Sequence, residues 1–141
     1  MANNKPIGVA YADQDIVGAD TVTAASIYAS TELGYTSAAQ GIVTQATSKS
    51  TGVTLNKSAG RITMNNAALA GNTPVSFTLT ISTISAKDAM IVNVSSGATA
   101  AAYAVYVSGL NAGSADISLR NMTGGSLSEA VVINYSVVHG Q

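Results

Sequence analysis

The sequence predicts an all-β protein: an antiparallel, jelly-roll-like β-sandwich of about eight short strands behind an extended N-terminal arm. Three observations carry this expectation. Apolar and hydroxyl side chains alternate along most of the chain after residue 41. Clusters of Asn and Gly interrupt these runs at intervals of roughly 10 to 15 residues, the spacing of strands in sandwiches and small barrels. No segment sustains a helical period.

The arm, residues 1–40, stands apart in charge. It holds Asp13, Asp15, Asp20 and Glu32, four of the seven acidic residues, and Lys5 as its one base. Its apolar residues are irregularly spaced, and residues 21–29 read equally as a helical turn or a strand. Terminal segments stay disordered unless something ties them down. The arm therefore packs on its own domain or on a partner, and Tyr11, Ile16, Val17, Tyr28 and Tyr35 are its interface candidates.

The domain, residues 41–141, opens with short runs at 42–47, 52–56 and 61–65. The clearest strand follows, Val75-Ser76-Phe77-Thr78-Leu79-Thr80-Ile81. Its period of two puts Val75, Phe77, Leu79 and Ile81 on one face and the hydroxyls on the other. Runs at 89–95, 102–108, 115–122 and 130–139 repeat the pattern. In the 102–108 run, Tyr106 falls opposite Tyr103, Val105 and Val107. It is either an outward interface anchor or the cover on the second side of a buried strand. Tyr135, in phase with Val131, Ile133 and Val137, reads as core. Asn56-Lys57-Ser58-Ala59-Gly60, Ser95-Ser96-Gly97, Asn111-Ala112-Gly113 and Thr123-Gly124-Gly125 read as turns.

Composition narrows the function. Charged residues make up 9% of the chain and the net charge is −1, too little positive charge to displace counterions from a nucleic acid. Lys49, Lys57 and Arg61 come nearest to a basic cluster and read as solvated turn residues. No apolar run reaches the roughly 20 residues of a spanning helix, and Met1-Ala2-Asn3-Asn4-Lys5-Pro6 lacks a secretory core. The chain has no cysteine, which suits a protein matured in a reducing cytosol. Surfaces so poor in charge suit coverage by further copies or by a partner.

Catalytic constellations are sparse, and the sequence reads as non-enzymatic. His139 is the single histidine, and Gly124-Gly125-Ser126-Leu127-Ser128 lacks the second glycine of a nucleophile elbow. Asp88, Asp116 and Glu129 offer carboxylates, but nothing local pairs two of them across a cleft. Phosphate-binding glycine motifs are missing, and no cofactor is implied. One weak calcium candidate exists, Asp13, Asp15 and Asp20, whose spacing matches no EF-hand loop.

Two stretches carry a family resemblance. One is Val43-Thr44-Gln45-Ala46-Thr47-Ser48-Lys49-Ser50-Thr51-Gly52-Val53-Thr54-Leu55-Asn56-Lys57, continuing at Gly60-Arg61-Ile62-Thr63-Met64. The other is Leu119-Arg120-Asn121-Met122-Thr123-Gly124-Gly125-Ser126-Leu127-Ser128-Glu129-Ala130-Val131-Val132-Ile133-Asn134-Tyr135. With the run between them they resemble a β-rich domain of tailed-bacteriophage virion structural proteins, of the head-decoration or head-fibre type, over residues 42–140. The resemblance implies a viral protein made in the host bacterial cytoplasm and placed on the virion capsid surface. It implies partners too: further copies of itself, as a homotrimer, and the major capsid protein. The alternative it leaves open is a fibre or adhesin domain that reads a host-surface receptor or glycan. It transfers no catalytic or ligand residues.

Overall fold

A computed structural model gives the fold, and it describes residue 23 and residues 25–140. Contacts divide the chain into two units, Met1–Leu33 and Gly34–Gln141. The second unit is all-β. Its eight strands are β1 (Gln40–Thr44), β2 (Val53–Thr54), β3 (Ala59–Thr63), β4 (Pro74–Thr80), β5 (Ala89–Ser96), β6 (Tyr103–Asn111), β7 (Ser114–Asn121) and β8 (Val132–Val138). A short 3-10 turn, Ser37–Ala39, precedes β1.

The strands form two four-stranded sheets, β1-β3-β8-β5 and β2-β4-β7-β6. Successive strands alternate between the sheets except at one place, the β6–β7 hairpin, where Ala112 and Gly113 connect the paired ends Asn111 and Ser114. Gly113 has φ +82 there, a conformation that glycine adopts without steric cost. The alternation fixes the directions. β1 and β3 run parallel, as do β2 and β4. β3 and β5 both run antiparallel to β8, and β4 and β6 both run antiparallel to β7. The chain therefore winds back and forth between the layers through six strands. It then reverses, and β7 and β8 insert between strands already laid down. The expected antiparallel pairing is thus corrected at one edge of each sheet, where a single intervening strand in the other sheet leaves two strands pointing the same way.

The core lies between the sheets and is mainly aliphatic. Ile62, Leu79, Ile117, Leu119, Ile133 and Val137 are fully buried, each contributing about 1.5–3 kcal/mol by leaving water. Phe77 and Tyr135 are the two aromatics among the buried residues, and Tyr135 sits where the alternation placed it. Its hydroxyl donates to Lys57 O at 2.9 Å and lies 3.3 Å from Leu55 O.

Gly60 corrects a sequence expectation. Read as a turn glycine, it lies inside β3, paired with Gly41 on one side and Tyr135 on the other. Its role is close approach: a Cβ there would stand 2.7 Å from Leu55 Cδ2 and 2.8 Å from the Gly41 carbonyl oxygen. The two glycines open a slot that Leu55 fills. At Gly41 the nearest atoms belong to the side chains of Leu55 and Lys57, which can move. Gly60→Ala is therefore expected to lower stability by about 1–3 kcal/mol, the usual cost of overpacking. Gly41→Ala should cost clearly less; chemical denaturation of the two variants checks the order.

Candidate functional site

Pleating gives each sheet an outer face with its own chemistry. On the first sheet the outward rows are Gln40, Ala59, Ser136 and Ile91, then Ile42, Arg61, Asn134 and Asn93. Arg61 is the single charged residue on this face, and its guanidinium meets Asn134 Oδ1 at 3.3 Å and Ser95 Oγ at 3.5 Å. Ile42, Ile91 and Val138 point outward and are 72%, 58% and 56% exposed. A shallow groove of about 580 Å³ runs over the glycine pair, walled by Ser37, Gln40, Ile42, Arg61 and Asn134.

The outer face of the second sheet carries mostly hydroxyls, with Asp116 and, in the row of Pro74 and Ala104, Arg120 as its charged residues. Thr54, Thr80 and Ser114 align, followed by Thr78 with Asp116, then Ser76 with Ser118 and Tyr106. Ser76 Oγ lies 2.7 Å from Ser118 Oγ, which donates to Ser108 Oγ at 2.9 Å. Thr78 Oγ1 donates to Asp116 Oδ1 at 2.7 Å. A bulge between Val107 and Gly109 adds Ser108 to the face, and Gly109 stands opposite Asp116. Tyr106 is 46% exposed.

The other interface candidates from the arm fare differently. Tyr28 is 91% exposed. The Tyr35 hydroxyl donates to the carbonyl of Val137 within its own domain, and Gln40 Nε2 donates to the Tyr35 carbonyl at 2.8 Å. Tyr11, Ile16 and Val17 lie outside the described residues, as do the calcium candidates Asp13, Asp15 and Asp20. Among the described residues no three His, Cys, Asp or Glu side chains converge.

Two polar clusters went unseen in the sequence. Lys49, expected as a solvated turn residue, is 3% exposed. Its ammonium donates to Asn65 O and Glu129 O, both at 2.5 Å, joining three connections of the sandwich. Burial lowers its pKa, and the Glu129 carboxylate opposes that shift. Tyr103 Oη and Glu129 Oε2 are buried without a partner at full hydrogen-bonding geometry. They nonetheless interact: burial first, and Glu129 second, push the phenol up to about 12.

The second cluster is at the end of β8. Asp88 accepts from the Ser85 amide and hydroxyl at 2.8 and 2.9 Å and from the Gly140 amide at 2.9 Å, while His139 Nδ1 lies 3.0 Å away. The amide bonds, above all that from Ser85, hold the carboxyl well below its usual range. The carboxylate sits between the serine and the histidine. A Ser–His–Asp system requires the histidine in the middle, so these three side chains do not form one; their bonds tie Asp88 to the end of β8.

Lys49→Met should lower stability by about 2–6 kcal/mol, since two partly buried carbonyls each lose a donor worth about 1–3 kcal/mol. A denaturant titration checks it. Alkaline titration gives a second test. Tyr103 and Tyr135 keep their protons to about 12 when folded, against 10.0 when unfolded. Unfolding stability should therefore decline as pH rises through that window, and less steeply in Tyr103→Phe.

With this geometry in view, no family model, curated protein or solved structure matches the chain.

Proposed function

We propose that the chain is a structural virion protein that decorates or cements a bacteriophage capsid as a homo-oligomer. The observation that supports this best is the outer face of the first sheet. It offers Ile42, Ile91 and Val138 to solvent and carries one charge, already tethered by Asn134 and Ser95. Covering such a face desolvates almost no charge, the main cost of burying a polar surface, and gains the burial of three branched apolar side chains. Further copies of the chain suit it; a trimer closes when this face meets a different surface of the next copy, since a face paired with itself closes a dimer. The resemblance of residues 42–140 to head-decoration and head-fibre domains supplies the setting, with a trimer as the expected oligomer.

Division of labour follows from charge. The acidic residues 13, 15, 20 and 32 precede the sandwich, so the N-terminal segment is assigned to the major capsid protein and the neutral sheet to self-association. A partner that binds only the assembled shell stabilises it by mass action.

Deleting residues 1–33 spares Tyr35 and Gln40. It should leave a folded oligomer that no longer attaches to capsids, measured by co-sedimentation; retained attachment overturns the assignment of the arm. Ile42→Glu combined with Ile91→Glu should shift the protein to monomer in analytical ultracentrifugation, and an unchanged oligomer overturns the assignment of the face.

A further inference from the structure

The second sheet presents the opposite kind of surface, and its features converge on one place. The bulge between Val107 and Gly109 raises Ser108 onto the outer face beside Tyr106. Bulges commonly re-aim side chains next to functional sites. Directly across from Asp116 stands Gly109, and a Cβ there would come to 3.0 Å from Asp116 Oδ2. The glycine thus keeps one side of the carboxylate uncovered. Thr78 holds Oδ1 at 2.7 Å, and among the described residues Oδ2 accepts no hydrogen bond. The carboxylate is fixed in position with one oxygen available.

Beside it runs a fixed chain of hydroxyls whose middle member, Ser118, is buried and whose outer members, Ser76 and Ser108, are exposed. Ser76, Ser118 and Ser108 form a continuous chain at 2.7 and 2.9 Å, and Ser108 Oγ also donates to the Asp116 carbonyl at 3.2 Å. Tyr106 occupies the same row as Ser118 and leaves nearly half its surface exposed. It is therefore a diagonal neighbour of Asp116, roughly 7–8 Å away by sheet geometry. An aromatic side chain, a fixed carboxylate acceptor and the exposed Ser76 and Ser108 beside it are suited to a pyranose: its C–H face stacks on the ring while its hydroxyls donate to the carboxylate.

We propose that this face, centred on Asp116 with Tyr106, Ser108 and Gly109, binds a neutral oligosaccharide. Neutrality follows from the position of Asp116: a uronate or sialate seated between Tyr106 and Asp116 would bring a second negative charge to the carboxylate, while Arg120, on the same face, lies on the far side of the Ser118 row. Protein partners are disfavoured, because the centre of the face offers hydroxyls where stable interfaces place apolar residues. The site lies on the strands of the second sheet, whereas the assembly face belongs to the first. An oligomer built through the first sheet leaves it open, and either assignment can fail without the other.

The full chain is screened against an array of neutral hexose and N-acetylhexosamine oligosaccharides, with oligogalacturonate as the acidic control. The strongest binder is then titrated by amide NMR. The expected shifts fall on Tyr106, Ser108 and Asp116 and spare Arg61 and Asn134. Asp116→Asn keeps an acceptor for Thr78 and should weaken binding about tenfold or more, the worth of a hydrogen bond to a charged group. Tyr106→Ala should do the same. Gly109→Ala crowds Oδ2 without altering any polar atom and should also weaken binding. The Ile42→Glu, Ile91→Glu variant should bind sugar as the parent does. A silent array, preference for the acidic glycan, shifts confined to another surface, or binding that survives all three substitutions overturns the proposal.

Discussion

The sandwich depends on the insertion of β7 and β8. Each is the inner partner of two strands: β8 bonds β3 and β5, and β7 bonds β4 and β6. Without them the six earlier strands keep only the parallel β1–β3 and β2–β4 ladders, the second just two residues long. The apolar faces of β7 and β8 also fill the centre of the core, with Ala115, Ile117, Leu119, Ile133 and Val137 all fully buried. Pairing and burial are thus completed by the same late strands. The loop-closure entropy of the earlier windings must be met before these long-range contacts can form.

A chain that crosses between layers this often strands backbone groups at the ends of the sheets, and buried polar groups must find partners. Three side chains meet that need. Gln45 Nε2 donates to Lys49 O and Thr51 O while its Oε1 receives the Asn65 amide. Asn121 Nδ2 donates to Leu69 O and Gly125 O, and its Oδ1 receives Thr123. Lys49 joins the carbonyls of Asn65 and Glu129. These residues stand in for missing ladder bonds, so a protein with few charges still commits one of its lysines to the interior.

The fold class was legible because alternation survives in nearly every strand. The strand at 75–81 and Tyr135 in the core follow from phase alone. What remained hidden depends on contacts distant in sequence. Ser48-Lys49-Ser50 looks like a polar turn, and only folding brings Asn65 and Glu129 to the amine. Asp88 and His139 are separated by 51 residues, and nothing near either one names the other. Gly60 looked like a turn because glycine marks both positive φ and close approach, and sequence does not separate the two. The outward Tyr106 was legible from period two, whereas the bulge that adds Ser108 and aligns Gly109 with Asp116 breaks that period. The parallel edges were likewise unreadable, since strand direction is a property of the winding.

Sheet edges decide what else a β protein can join. A strand edge presents unpaired amides and carbonyls that will template another strand unless it is short, bulged or covered. β2 is two residues long, and β5 and β6 carry bulges at Ser95 and Ser108. That leaves β1, five residues with no irregularity in its pairing and with Ile42 largely exposed. Of the four edge strands it alone is neither bulged nor cut to two residues. An edge of that kind has room for one further strand, which sets strand addition apart from contact through the outer faces.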